Sequence, residues 1–132
     1  MLNQSGIVKQ TYGATTQILA NLEQQHSVGC VVAQSLGVTV GTKKIAKAGT
    51  PVTGNLDALT TAFTAEVTSG TPAESNAVGI LLHDVDVTNV AANGTLLIFG
   101  FVNKNRLESD VKTKITAEVI AKLDGKVTFL SM

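Results

Sequence analysis

The sequence predicts a mainly β domain with one C-terminal helix, an α+β chain whose strands form a compact β-barrel-like body behind an extended N-terminal arm. Three observations predict it. β-Branched runs punctuated by glycine fill Val28 to Thr53, two apolar stretches flank a loop between Val78 and Val102, and apolar residues recur every four positions after Ser109. The 132 residues (13.7 kDa) make about one domain, and 44% hydrophobic content with a mean hydropathy of +0.26 is enough to fill a core.

Residues 1–27 are polar and glutamine-rich, with scattered apolar residues Ile7, Val8, Tyr12, Ile18, Leu19 and Leu22. They read as an arm. Ile18, Leu19 and Leu22 fall at helical spacing after Thr15-Thr16, enough for two turns of amphipathic helix, but so short a helix is marginal in water without a partner surface. The arm is therefore expected to order by contact.

Residues 28–132 form the β-rich domain. Val28-Gly29-Cys30-Val31-Val32 and Gly37-Val38-Thr39-Val40 read as short strands joined by tight turns. Lys43, Lys44 and Lys47 read as a solvated rim. In Ala48-Gly49-Thr50-Pro51-Val52-Thr53-Gly54, Pro51 cannot donate to a ladder and both glycines admit positive φ, which suggests a bent edge or loop. From Leu56 to Gly70, Leu56, Leu59 and Phe63 could share a helical face, while the threonine density favours strand or irregular structure; both readings stay open.

Val78 to Val87 and Thr95 to Val102 read as two adjacent strands. In the second, Leu97/Phe99/Phe101 and Leu96/Ile98/Val102 make both alternating faces apolar, so neither suits water. A chain this small rarely covers a sheet on both sides by itself. That points to a closed barrel-like fold or to burial against sister subunits, with Leu97, Phe99 and Phe101 as the expected oligomer core. Ser109 can then cap a helix from Asp110 to Leu123, with Val111, Ile115, Val119 and Leu123 along one face. Asp124-Gly125 stops it, and Lys126-Val127-Thr128-Phe129-Leu130 is a closing strand.

Composition narrows the function classes. Ten Lys+Arg balance ten Asp+Glu, the pI is about 6.7, and the chain has no field to gather phosphates, which argues against nucleic acid as a partner. Four Phe, one Tyr and no Trp leave few stacking platforms for bases or sugars. The lone Cys30 permits no internal disulfide and reads as a small buried hydrophobe. No apolar run approaches a membrane span and no export signal is evident, so no membrane partner is expected.

Asp84 and Asp86, two apart on a strand, are the one paired-carboxylate signal. As a calcium loop the segment fails, because Thr88, Asn89 and Thr95 occupy the positions of a ligand, the turn glycine and the bidentate glutamate. The simpler reading is a strand end whose carboxylates accept backbone or threonine hydrogen bonds. His83 would face away from both, and His26 lies in the arm. No nucleophile elbow, zinc-helix motif or phosphate-binding glycine pattern is complete, so no catalytic, cofactor or metal residues are assigned. Asn93-Gly94 reads as turn chemistry.

Ala77-Val78-Gly79-Ile80-Leu81-Leu82-His83-Asp84-Val85-Asp86-Val87-Thr88, followed by Asn93-Gly94-Thr95-Leu96-Leu97-Ile98-Phe99-Gly100-Phe101-Val102, resembles the tailed-phage capsid decoration proteins of the lambda-type head-stabilising family. Ala48-Gly49-Thr50-Pro51-Val52 is similar to that family's glycine-containing turn, with Thr53 intervening before the second glycine. The ending, a helix then Lys126 to Leu130, is similar to phage head fibre proteins. The resemblance spans residues 28–132. It implies a homotrimer on the outer capsid surface, made in the bacterial cytoplasm, with the major capsid protein as partner and no cofactor. It also implies that the arm, Gly6 to Leu22, contacts the shell, where three arms on one trimer would add their affinities.

Two readings from neighbouring classes compete: the base of a head fibre, and a carbohydrate-binding adhesin. A chain of this length ending in a strand is expected to leave no room for a fibre shaft, and the scarcity of aromatics disfavours sugar stacking. An enzyme acting through Asp84 is a third reading.

Overall fold

A computed structural model describes residues 17–20 and 25–132. Ile7, Val8, Tyr12 and Leu22, expected in the arm, lie outside the described residues. The described chain is mainly β. In order it forms β1 (His26–Val32), β2 (Val38–Val40), β3 (Lys43–Ala46), β4 (Pro51–Thr53), β5 (Thr64–Ala65), β6 (Thr68–Ser69), β7 (Glu74–Ser75), β8 (Gly79–Leu81), β9 (Val85–Asp86) and β10 (Ala92–Asn103). Helices α1 (Ser109–Lys112) and α2 (Ala117–Lys122) follow, then β11 (Val127–Leu130).

β10 organises the fold. Leu96 pairs with Val28 of β1 on one edge and Leu81 of β8 on the other, both antiparallel. Further along, Val102 has Phe129 of β11 as its parallel partner and Leu19 bridged against it antiparallel. The six-stranded sheet runs β11-β10-β8-β4-β5, with β1 also on β10; a three-stranded sheet β9-β3-β2 and the hairpin β6-β7 complete the described strands. The expected pairing of the two apolar stretches is thus present, through β8 and β10.

The sheets do not close into a barrel, contrary to expectation. The need for closure is removed because the two sides of β10 are covered separately. Leu97 packs in a core with Ile18, Ile80, Val102, Val111, Val119 and Leu123. Leu96 packs in another with Val32, Val52, Phe63, Leu81 and Val87. The first is closed by the two helices and residues 17–20, the second by Phe63 and the three-stranded sheet, so this small chain does supply layers on both sides of one strand.

The single helix expected over residues 110–123 is two short ones. Lys114 and Ile115 donate to Val111 and Lys112 in tight i−3 bonds, and Thr116 turns extended (φ −84°, ψ 169°). Its hydroxyl then accepts from the Val119 amide at 3.3 Å, capping α2. Val111, Val119 and Leu123 still face the core, so the apolar spacing survives the break.

Pro51 opens β4, an internal strand, where an edge or loop was expected. It enters the ladder as an acceptor alone, taking the Glu66 amide at 3.3 Å, and the first position of a strand tolerates its missing donor. Between Leu56 and Gly70 the chain forms turns and the short strands β5 and β6, with Phe63 fully buried. Ile18 and Leu19 are extended, where helix was expected: Asn103 donates to the Ile18 carbonyl and Ala20 to the Phe101 carbonyl, both at 2.8 Å.

Asn93-Gly94, expected in a turn, lies inside β10 opposite Val31 and Cys30. A β-carbon on Gly94 would come within 2.7 Å of Val32 Cγ2 and 2.9 Å of Val85 Cγ2. The glycine serves close packing across the sheet.

Candidate functional site

Among the described residues, the outward end of β10 leaves aromatic side chains in water. Phe99 is 46% exposed and Phe101 half-buried, and their rings meet edge-to-face with centroids 6.4 Å apart. Being two apart on a strand, they share a side. Register sets Thr128 beside Phe101 and His26 beside Phe99, and Leu130, 37% exposed, stands two on from Thr128. Neither β10 nor β11 contains a charged residue. Leu97, grouped with these phenylalanines in the sequence reading, is fully buried in the chain's own core and takes no part in this face. The pairing of β10 with β1 shifts register between Leu97 and Phe99, where the two environments part.

Ile18 and Leu19 are also spent on the core, at 1% and 4% exposure. The Arg106 guanidinium fastens this stretch by donating to the carbonyls of Gln17 and Leu19 at 3.3 and 3.4 Å.

The two aspartates serve turns. Asp84 Oδ1 accepts the Ala48 amide at 2.7 Å, and Asp86 Oδ1 accepts the Thr88 amide at 3.0 Å and the Thr88 hydroxyl at 2.6 Å. The Thr88 hydrogen bonds hold the Asp86 carboxyl below its ordinary range, with help from nearby Lys43. This is the strand-end arrangement expected from sequence. Among the described residues no three His, Cys, Asp or Glu side chains are grouped to hold a metal.

Lys47 departs from the expected solvated rim. Its side chain is only 14% exposed, and the ammonium donates to Glu108 Oε1 at 3.0 Å and Asp110 Oδ2 at 3.1 Å. Those two hydrogen bonds raise the Lys47 pKa, and the contact with Lys47 lowers that of Asp110. The pair ties the loop after β3 to the start of α1 across more than 60 residues, a separation that leaves no local sequence signal. Lys43 and Lys44 are exposed, as a rim would be.

The remaining reactive groups are engaged or enclosed. Ser75 is buried; its hydroxyl donates to Glu66 Oε2 at 2.6 Å and accepts the Ala77 amide at 3.1 Å. Cys30 is buried as expected, and burial raises its thiol pKa. His83 is half-buried with Nδ1 enclosed and unpartnered. An open depression of about 240 Å³ between the β6-β7 hairpin and α2 is lined by Glu74, Ser75, Glu118 and Lys122, and another of about 440 Å³ by Lys43, Asp86, Thr88 and Asn89. Neither holds the histidine or cysteine that would complete a nucleophile–base pair.

No family model and no curated protein matches the chain. Among the described residues, no helix is long and apolar enough to cross a membrane. What the arrangement offers is a β scaffold with an outward aromatic pair on a strand that itself carries no charge.

Proposed function

We propose that this is a structural virion protein that binds the outer surface of a tailed-phage capsid as a homotrimer and stabilises the head against the pressure of packaged DNA. The reading takes it to be a non-enzymatic part of the virion, needing no cofactor, whose partners are the major capsid protein and its own copies.

The observation that carries the reading is the outward pair Phe99 and Phe101 on strands without charge, since solvated aromatic surface of this kind favours protein contact. The likeness of residues 77–102 to decoration proteins supplies the kind of partner. Because Ile18 and Leu19 serve the core, the shell contact is assigned to the preceding arm, with Ile7, Val8 and Tyr12 as its apolar residues. An extended arm can add a strand to a neighbouring sheet edge, where main-chain hydrogen bonds bind with little demand on sequence.

Co-sedimentation with expanded shells that lack the protein tests this, comparing the full chain with one lacking residues 1–16. Saturable binding that needs the arm is expected. Absence of binding by the full chain would overturn the capsid reading and favour the adhesin, which a glycan array would then examine.

A further inference from the structure

We propose that Asn93 is a self-modifying site, where the main-chain nitrogen of Gly94 attacks the Asn93 side-chain amide, and that the pairing of β1 with β10 is the gate holding this reaction back. The chemistry belongs to the dipeptide. Of the eight asparagines in the chain, only Asn93 precedes a glycine, whose missing side chain leaves its nitrogen open to approach. Asn93 is exposed and borders a depression of about 310 Å³ with Val31, Leu59 and Thr60, so water reaches it.

The step balances with water as the sole co-reactant. The Gly94 nitrogen gives up its proton and bonds to Asn93 Cγ, the Cγ–Nδ2 bond breaks, and ammonia leaves. The five-membered succinimide so formed takes up water, which opens one of its two carbonyl–nitrogen bonds. Opening at Cγ gives aspartate. Opening at the main-chain carbonyl gives isoaspartate, in which the chain runs through Cβ and Cγ. Nothing is oxidised or reduced.

The strand blocks the first bond. The Thr95 carbonyl accepts the Leu82 amide at 2.9 Å, so the polar groups of Thr95 face β8 and, by alternation, those of Gly94 face β1. On β1, Val31 is turned the other way, its amide donating to the Leu59 carbonyl and its own carbonyl accepting the Phe63 amide. Cys30 therefore faces Gly94, its register partner, and the two exchange main-chain hydrogen bonds. A nitrogen held in that ladder cannot close on Asn93 Cγ, and the ring also requires Asn93 to turn out of the extended conformation. The methyls of Val32 and Val85, packed against Gly94, oppose that turn. Reaction thus follows opening of the ladder. Isoaspartate then adds one main-chain atom to β10 and puts the residues on its two sides out of register with β1, so the original pairing cannot reform.

The test incubates the full chain in mildly alkaline buffer, natively and unfolded in urea, and maps the product by peptide mass and isoaspartate assay. In urea the product should lie at Asn93, and Gly94→Ala should slow it by crowding the attacking nitrogen. The native chain should react at least about 100-fold more slowly than the unfolded one, since opening a central strand draws on much of the global stability. Leu96→Ala removes a fully buried contact beside the ladder and leaves the dipeptide intact, so it should raise the native rate at least about tenfold. Wild type in sub-denaturing urea should accelerate likewise, which decides the matter if Leu96→Ala does not fold. Equal native and unfolded rates, as an open turn would give, would overturn the gate. A native rate that neither the variant nor urea moves would do the same. A main product at another asparagine in urea would overturn the site.

Discussion

Leu96 and Leu97 are adjacent in β10, both are fully buried, and they belong to different hydrophobic cores. One strand is thus the shared wall of two packed layers. Pleating sends the two side chains to opposite sides, and each meets partners supplied by different parts of the chain.

Truncation should therefore act independently on the two sides. Leu96→Ala and Leu97→Ala are each expected to cost about 2–5 kcal/mol in urea unfolding. Their double variant should fall near the sum, because the two side chains belong to separate cores. Strong coupling would mean one continuous core. Leu97→Asp should leave no folded protein, whereas Phe99→Asp should keep the fold, since Phe99 already stands half in water.

Strand segments at residues 28–32, 38–40, 95–102 and 127–130 were legible because β-branched and apolar runs specify them locally. The stretch 78–87, expected as one strand, is instead divided between β8 and β9 in two sheets, and β10 begins at Ala92, inside the expected loop. The two-sided burial of β10 was legible as a pattern, but its cause was not. Phe63 and the helix residues Val111 and Val119 that cover it lie at a distance in sequence, so the pattern pointed equally to a barrel or to sister chains. The helix break at Thr116 was hidden because apolar spacing continues through it. The Asp86–Thr88 turn was visible because it spans two residues, and the Lys47 clamp invisible because it spans more than 60.

The Lys47 clamp should give stability a defined pH window. The Asp110 carboxyl, lowered from its ordinary 3.8 by Lys47, contributes stability that is present above that unfolded value and lost as pH falls through the lower folded one. Lys47, raised above 10.5 chiefly by its hydrogen bond to Glu108, contributes stability lost only as pH rises through its higher folded value. Exposure of both carboxylates screens the pair, so Lys47→Met should cost about 0.5–1 kcal/mol near neutrality. Urea midpoints of the two proteins should differ evenly from roughly pH 5 to 9 and converge in strong acid. A difference that persists at roughly pH 2, below the range in which the carboxylates titrate, would assign the effect to packing of the lysine stem.

Asp84 should hold the loop from Lys47 to Thr50 in place. Its 2.7 Å bond to the Ala48 amide is charge-assisted, so Asp84→Ala is expected to cost about 1–2 kcal/mol. Hydrogen exchange should report it locally, as faster exchange at the Ala48 amide with the Val87 amide unchanged. Asp84→Asn keeps an acceptor oxygen and should fall between the two.

Gly94 gives the sharpest contrast, because two glycines paired into the same ladder face different space. Gly94 sits opposite Cys30, with the methyls of Val32 and Val85 closer than a β-carbon permits, and both valines are themselves buried. Gly94→Ala must push one of them aside, at a cost of about 1–3 kcal/mol. Gly29, opposite Thr95 on β1, has nothing within 4 Å of its added β-carbon. Gly29→Ala should be neutral or stabilising by up to about 1 kcal/mol through the unfolded chain. The difference between their urea midpoints measures the close approach of β10 to the core. Equal midpoints would restore the reading of Asn93-Gly94 as a turn, since a glycine in an open turn has no neighbour to displace.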